Sequence, residues 1–387
     1  MLVATSVARD TRVLREAKTL VEDGFEVTIV GRNVPADFQP SQGISVLSAS
    51  GGSGLRPPSM GSLTTKKLPP HLRLLRWFLL PQHRERSFNA WADEAYLLAS
   101  PLEFGVVHAH DFTALGIGNR LAQEHGVPYI YDSHEWWLGR QRQYRPTPFA
   151  DRKEAIAEAQ WASHASAVIT VGESIAELME RERKLSKVFV VRNSFPSGPD
   201  NSTKVATPPK GIIYAGRIDA YRELEVTVDV TRMISIPICW MGEHENQWAA
   251  HHMPRARKLG VEVLSAQSID EVTKAMQNAG LVFVTHSNQF ESHRLALPNK
   301  LFHAVHAGVP VIATDVTELA RVVRQYDLGE LYEPGNSQSM AAAIARAIGR
   351  HAELIANVKA ARQELSWDRD AQVLLEIYGR VVKVDPR

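Results

Sequence analysis

Short apolar or β-branched runs alternate along the chain with segments whose apolar residues recur at helical spacing. Leu2–Ser6 reads as a strand and Thr11–Asp23 as a helix, with Val13, Leu14, Ala17 and Leu20 on one face and Gly24 closing it. Further strands are predicted at Glu26–Val30, Val106–Ala109, Tyr129–Asp132, Ala167–Val171 and Val188–Val191. Repeated strand–helix alternation implies an α/β architecture, a parallel sheet covered by helices. The stretch from Phe38 to about Pro81 breaks the rhythm and reads as loop.

Residues 196–209 are rich in proline and small polar residues, with no periodicity, and form the best linker in the sequence. The alternation then restarts, with strands predicted at Gly211–Ala215, Pro237–Met241, Val261–Leu264, Leu281–Thr285 and Val309–Thr314. Two doubly wound, Rossmann-like domains follow: 1–195, and 210–366 after the linker. Residues 367–387 supply a final helix, amphipathic from Trp367 to Val382. Two such domains are expected to face a cleft, with ligands at the C-terminal ends of the strands.

Composition removes several classes. The chain has 387 residues, long enough for two domains, and its 44% hydrophobic and 22% charged content is that of a globular protein. Lys plus Arg (44) nearly cancels Asp plus Glu (43), so overall charge gives no case for a nucleic-acid partner. Cys239 is the lone cysteine, set in an apolar run, and reads as a buried thiol in a reducing, cytoplasmic setting. No signal-peptide pattern opens the chain, and no apolar run approaches the ~20 residues of a membrane span. Locally, Lys66, Lys67, Arg73, Arg76, Arg84 and Arg86 surround Trp77, Phe78 and five leucines, Leu72, Leu74, Leu75, Leu79 and Leu80. That segment is either a helix packed on the first domain or an interfacial contact, Lys66–Arg86, with anionic membrane.

The chemistry concentrates in Ser292–Asp315. Pro298 suits the first turn of a helix and Gly308 its C-terminal cap. A helix N-terminus there, with Lys300 and Arg294 beside it, is a site for a diphosphate. Pro298-Asn-Lys-Leu-Phe-His303, followed by Gly308-Val-Pro-Val311, resembles the donor-site motif of retaining GT-B glycosyltransferases of family four. Many members carry two glutamates eight positions apart; here those positions hold Leu295 and His303. The family's second glutamate bonds the donor ribose, and a neutral His303 replaces part of that pairing. The resemblance implies that Leu297, Pro298, Asn299, Lys300 and Arg294 also serve the donor.

A second segment, Tyr214-Ala-Gly-Arg-Ile-Asp-Ala-Tyr-Arg222, resembles the family's Gly-Arg-x4-Lys signature, with Arg222 at the lysine position. By that resemblance Gly216 lines the donor, and Arg217 and Arg222 stabilise the charge that builds on the leaving diphosphate. In the first domain, His134 follows a strand end where family members often place a histidine near the transferred sugar. His110, and Asp10 and Arg12 in an Asp-x-Arg-x-x-Arg segment, fall on the acceptor side. His108, His110, Asp111, His134 and Glu135 also invite a metal reading, but no His-x3-His helix spacing supports it. The expectation is therefore an enzyme without a cofactor or required metal.

The implied activity is transfer of a sugar from a nucleoside-diphosphate-sugar donor to a glycan, lipid-linked or small-molecule acceptor, with retention at the anomeric carbon (hexosyltransferase type, EC 2.4). The implied fold is GT-B, with the C-terminal helix crossing back to the first domain. Base recognition falls to the backbone around Leu264–Gln267 and the Gly242 turn. A nucleotide-sugar epimerase and a non-catalytic nucleotide-sugar-binding protein share this architecture. A two-lobed periplasmic binding module fits less well, given the cations Arg217 and Arg222. No Gly-x-Gly-x-x-Gly follows the first strand or Gly216, which counts against a dinucleotide dehydrogenase.

Overall fold

The computed structural model describes residues 1–50, 90–141, 149–198 and 204–382. The basic, aromatic segment Lys66–Arg86 lies outside the described residues. The chain divides into two compact units: Met1–Thr170 with Ala176–Phe189 and Val373–Arg387, and Val171–Ile175 with Val190–Gln372.

Among the described residues the first sheet holds seven strands: β1 (Leu2–Val3), β2 (Val27–Arg32), β3 (Ile44–Ala49), β4 (Val107–His110), β5 (Tyr129–Ser133), β6 (Ala167–Thr170) and β7 (Val188–Val190). Their order is β3-β2-β1-β4-β5-β6-β7, and the pairings from β3 to β6 are parallel. The second unit holds β8 (Gly211–Ala215), β9 (Ile238–Met241), β10 (Glu262–Leu264), β11 (Gly280–Val284), β12 (Val311–Thr314) and β13 (Gly329–Tyr332), in the order β10-β9-β8-β11-β12-β13. Its pairings are parallel throughout. Both sheets reverse direction of growth beside their first strand, at β1/β4 and at β8/β11. In a doubly wound fold that crevice, at the strands' C-terminal ends, is where ligands bind.

Both faces of the second sheet are buried, and strand alternation divides its residues between them. Ile213, Ala215, Val282, Val284, Val311 and Ala313 pack on one side with the helix Asn299–Ala307. Ile212, Tyr214, Leu281, Phe283 and Ile312 pack on the other with Trp240 and Met340.

Several sequence expectations are corrected. The first strand stops at Val3, and a single helical turn, Val7–Arg9, takes the place of its predicted end. Ile44–Ala49 is a strand inside the stretch read as loop, and Gly329–Tyr332 is a sheet-edge strand the pattern did not reveal. Pro298 is the N-cap of its helix, one residue before the first turn. The following strand begins at Val311 because Pro310 has no N–H to give the ladder. The helix Trp367–Val382 forms as expected; its residues from Val373 onward belong to the first unit. Among the described residues no helix is long and apolar enough to cross a membrane.

Candidate functional site

In the second unit the chain leaves β8 at Gly216, whose N–H donates to Met241 O at 2.9 Å. Gly216 and Gly242 adopt φ of +143° and +159°, and a Cβ on Gly242 would lie 1.9 Å from Gly216 O. Only glycine permits two strand-end turns to touch in this way. A Cβ on Gly216 would sit 3.2 Å from Lys300 Nζ, so glycine there also leaves the lysine its place. Lys300 lies in the first turn of the helix capped by Pro298, with its ammonium 4.7 Å from the centre of the Tyr214 ring. Burial, and then the charge of Arg222, push Lys300 down to about 7.

Arg222 is presented by a strained loop. Its neighbours Tyr221 and Glu223 take φ of +64° and +56°, which side chains other than glycine adopt at a cost of ~1–3 kcal/mol each. The end of β11 holds the loop in place: Thr285 Oγ1 donates to Arg222 O (2.5 Å), and Ser287 N to Tyr221 O (3.1 Å). Arg222 Nη1 donates to His286 Nε2 at 3.2 Å. His286 Nε2 must therefore accept, and the ring is neutral. Burial and the surrounding cations hold it down to about 3. His293, bonded through Nδ1 to Ser287 Oγ at 2.8 Å, is held down to about 4, first by burial and then by Arg222. Among the described residues neither Arg222 nor Lys300 has a carboxylate partner. Two cations and two neutral imidazoles thus meet at the β8/β11 crevice, beside a helix N-terminus.

The other expected donor residues lie around this centre in different ways. Arg217 is 62% exposed and pairs with Asp219 at 3.2 Å. Arg294 is exposed and reaches Asn288 O at 3.4 Å, and Asn299 is exposed at the helix start. Leu297 and Leu295 are buried, Leu297 within the core. His303 faces Thr273 and Phe195. Its Nε2 bonds Thr273 Oγ1 at 2.9 Å and its ring stacks on Phe195 with centroids 4.8 Å apart. The Thr273 hydroxyl already donates to Ile269 O, so His303 Nε2 carries the proton and donates.

The first unit gathers a second cluster at the C-terminal ends of β4 and β5. Asp10 caps the helix Thr11–Glu22 by accepting from Val13 N at 3.2 Å. One residue into that helix, Arg12 is only 3% exposed and forks onto both oxygens of Asp132 at 2.9 Å, with Glu16 Oε1 also 2.9 Å away. Arg12, expected to contact acceptor or phosphate, is here turned inward. His108 and His110 alternate on β4 and stack with centroids 4.2 Å apart. Glu16, His108, His110 and Asp132 are all buried. Burial, opposed by Arg12, pushes Glu16 up to about 8, and burial lowers both histidines. His134 is the cluster's half-exposed member, with Asp111 and Asp132 each 3.4 Å from its ring nitrogens. Burial pulls it down, but those two carboxylates prevail and raise it to about 9.

Residues 10–194 match the family described as Glycosyl transferase 4-like domain, and residues 209–350 match Glycosyl transferases group 1. Between them the two matches take in most of the chain. The chain is a glycosyltransferase of the GT-B fold. The glycosyltransferase is 23% identical to D-inositol 3-phosphate glycosyltransferase of Salinispora tropica, over 96% of this chain and 80% of that protein. Its fold is similar to that of sucrose-phosphate synthase from Thermosynechococcus elongatus (TM-score 0.73, 15% identity, 99% of each chain). It is similar too to Anabaena HepE in complex with UDP (TM-score 0.69, 14% identity, 98% of this chain and 99% of that one). The Arg222–Lys300 centre falls in the glycosyltransferase's group 1 segment and the Arg12–Asp132 cluster in its 4-like segment.

Sequence reasoning missed Tyr221, Thr285, His286, Ser287 and His293 in the second unit, and Glu16 and Asp132 in the first. A signal existed for Glu16. It stands at i+3 from Val13, on the apolar face of its helix, where an unpaired carboxylate is costly. Nothing local marks His286, whose importance comes from the strand order that brings β11 beside β8.

Proposed function

We propose that the enzyme transfers a sugar from a nucleoside-diphosphate-sugar donor with retention at the anomeric carbon, and that the donor diphosphate rests at Arg222 and Lys300. The observation carrying this reading is the pair of cations with no carboxylate partner among the described residues, held beside Gly216 and the helix opening at Asn299. As the glycosidic bond breaks, negative charge builds on the leaving diphosphate. Fixed cations in a dehydrated site stabilise that charge far more than water does. The neutral His286 and His293 fill the site without adding to its charge. These groups supply the electrostatic work, so the transfer is proposed to need no metal. Arg217 is proposed as an outer contact that exchanges Asp219 for phosphate.

UDP in the HepE structure and the inositol phosphate in the relative's name set the first assays on this enzyme. Donor sugars of several bases are incubated with polyol phosphates, glycans and lipid-linked sugars, and nucleoside diphosphate release is measured. The product's anomeric configuration, read by NMR, tests retention, and inversion would refute it. Lys300→Ala is expected to cut kcat ~10²–10³-fold, as loss of a single fixed donor to transition-state charge does elsewhere. Epimerised free donor as the sole product would replace transfer with the epimerase reading. Peripheral contact with anionic membrane through Lys66–Arg86 is proposed from sequence. Liposome flotation unchanged in the Arg73/Arg76/Trp77 triple alanine variant refutes it.

A further inference from the structure

We infer that the first unit is built around a structural divalent transition metal, of the zinc class, held by His108 Nε2, His110 Nε2 and Glu16 Oε2, with Asp132 closing the set. One ligand atom from each of the four residues lies within 4.8 Å of the others, and all four are buried. His108 Nε2 and His110 Nε2 stand 3.9 and 4.0 Å from Glu16 Oε2, and none of these three atoms has a hydrogen-bond partner among the described residues. Three orphaned polar atoms converging on one point inside a core is costly unless something there bonds them all.

The arrangement supplies ligands rather than a hydrogen-bond network. An imidazole nitrogen and a carboxylate oxygen from separate elements are the donors zinc takes, at ~2.0–2.2 Å. Two residues apart on β4, His108 and His110 point to the same face, and the parallel rings aim their outer nitrogens together. The inner nitrogens are already engaged. His108 Nδ1 bonds Tyr378 Oη at 2.8 Å, and His110 Nδ1 lies 3.2 Å from His134 Nε2 and 3.4 Å from Asp132 Oδ2. With Nδ1 protonated and turned to the Asp132 carboxylate, His110 presents a lone pair at Nε2. Such outer partners orient metal-binding histidines and raise their basicity. Tetrahedral zinc puts its ligand atoms ~3.3 Å apart, so the two pairs that Glu16 Oε2 makes, at 3.9 and 4.0 Å, need close by roughly 0.6–0.7 Å.

Arg12 forks onto Asp132 and Glu16 Oε1 and leaves Glu16 Oε2 turned to the imidazoles. The ligands come from the helix Thr11–Glu22, β4 and β5, so the cation ties three elements of the first unit together. The Tyr378 bond adds the C-terminal helix. Because every ligand is buried, the metal enters as the unit folds and does not exchange freely afterwards.

The test counts metal. Protein made without a metal-affinity tag in zinc-supplemented medium is desalted and unfolded in guanidinium, and zinc is measured by mass spectrometry. About one zinc per chain is expected, falling at least ~10-fold in His108→Ala and in His110→Ala, and unchanged in His252→Ala, which removes a histidine of the second unit. Loss of a buried imidazole can itself unfold the chain. Tyr378→Phe, which keeps the ring, is therefore expected to release zinc to a chelator ~10-fold faster than the parent. Parent protein with under about a tenth of an equivalent after refolding in excess zinc overturns the inference and leaves a proton shared by Glu16 and Asp132. Full zinc content in His108→Ala, or loss of zinc in His252→Ala instead, overturns it as well. Release from Tyr378→Phe at the parent's rate contradicts His108 as a ligand.

Discussion

Where β4 and β5 end, the first unit sets Arg12 against Asp132 and Glu16 so that its cation is matched by carboxylates within the protein. Where β8 and β11 end, the second unit sets Arg222 and Lys300 together with His286 and His293, and no carboxylate among the described residues answers them. The two units share a strand order, and strand ends one place apart in that order carry opposite electrostatic solutions. A self-neutralised cluster serves the fold. Uncompensated cations at a crevice remain available to an anion, and Lys300, pushed down to about 7, records the cost of keeping them there.

Breaking the first cluster should have the largest effect on stability. Arg12→Met leaves two buried carboxylates without their counter-ion, and a loss of ~3–5 kcal/mol is expected in denaturant unfolding. The corresponding Arg222→Met should leave stability nearly unchanged while lowering kcat ~10²-fold or more. If the two substitutions cost the same stability, the contrast between the units fails.

The pH dependence sharpens the contrast. Lys300 is charged below about 7 and loses its charge as pH rises. Nucleoside-diphosphate affinity is therefore expected to fall several-fold between pH 6.5 and 8.5, a modest part of the ~1.4 kcal/mol that one pKa unit represents. Lys300→Arg should flatten that profile. For folding the sign is opposite. The folded pKa lies below the unfolded value, so the unfolded chain binds more protons between them, and stability rises as pH climbs from about 7 toward 10. Calorimetric titration and denaturant midpoints across that range check both. The smallest effect is expected at Arg217, exposed and tied only to Asp219. Arg217→Ala should leave stability within ~0.5 kcal/mol of the parent.

Legibility in the sequence followed the same division. Gly308 announced a helix end, and the structure places it there at a φ of +77°. Pro298 announced the beginning, though as cap rather than first turn. The apolar runs of buried strands such as Gly211–Ala215 and Gly280–Val284 were plain, because both faces of the sheet are covered. Ile44–Ala49 was hidden because a partly exposed strand, placed between a proline-containing turn and a Gly/Ser-rich tract, has only a weak apolar signature. The motif around Gly216 and Lys300 pointed to the β8/β11 crevice, and the structure brings those two residues side by side there. It did not reveal that Arg222 leans on His286, since that contact joins residues 64 apart. Nor did it reveal that His303 turns to Thr273 and Phe195, because helical position fixes a side chain's row and not its partner.

The most direct test of the second unit as an anion-receiving site is thermal melting with UDP, GDP, ADP, TDP, CDP and NAD, each in large excess over a plausible dissociation constant. A ligand at ~100 times its dissociation constant stabilises by about 2.7 kcal/mol, enough to raise the melting temperature by a few degrees. The account predicts a shift with at least one nucleoside diphosphate that disappears in both Arg222→Ala and Lys300→Ala and survives in Arg217→Ala. A flat response across the panel, or a shift indifferent to Arg222 and Lys300, would contradict it.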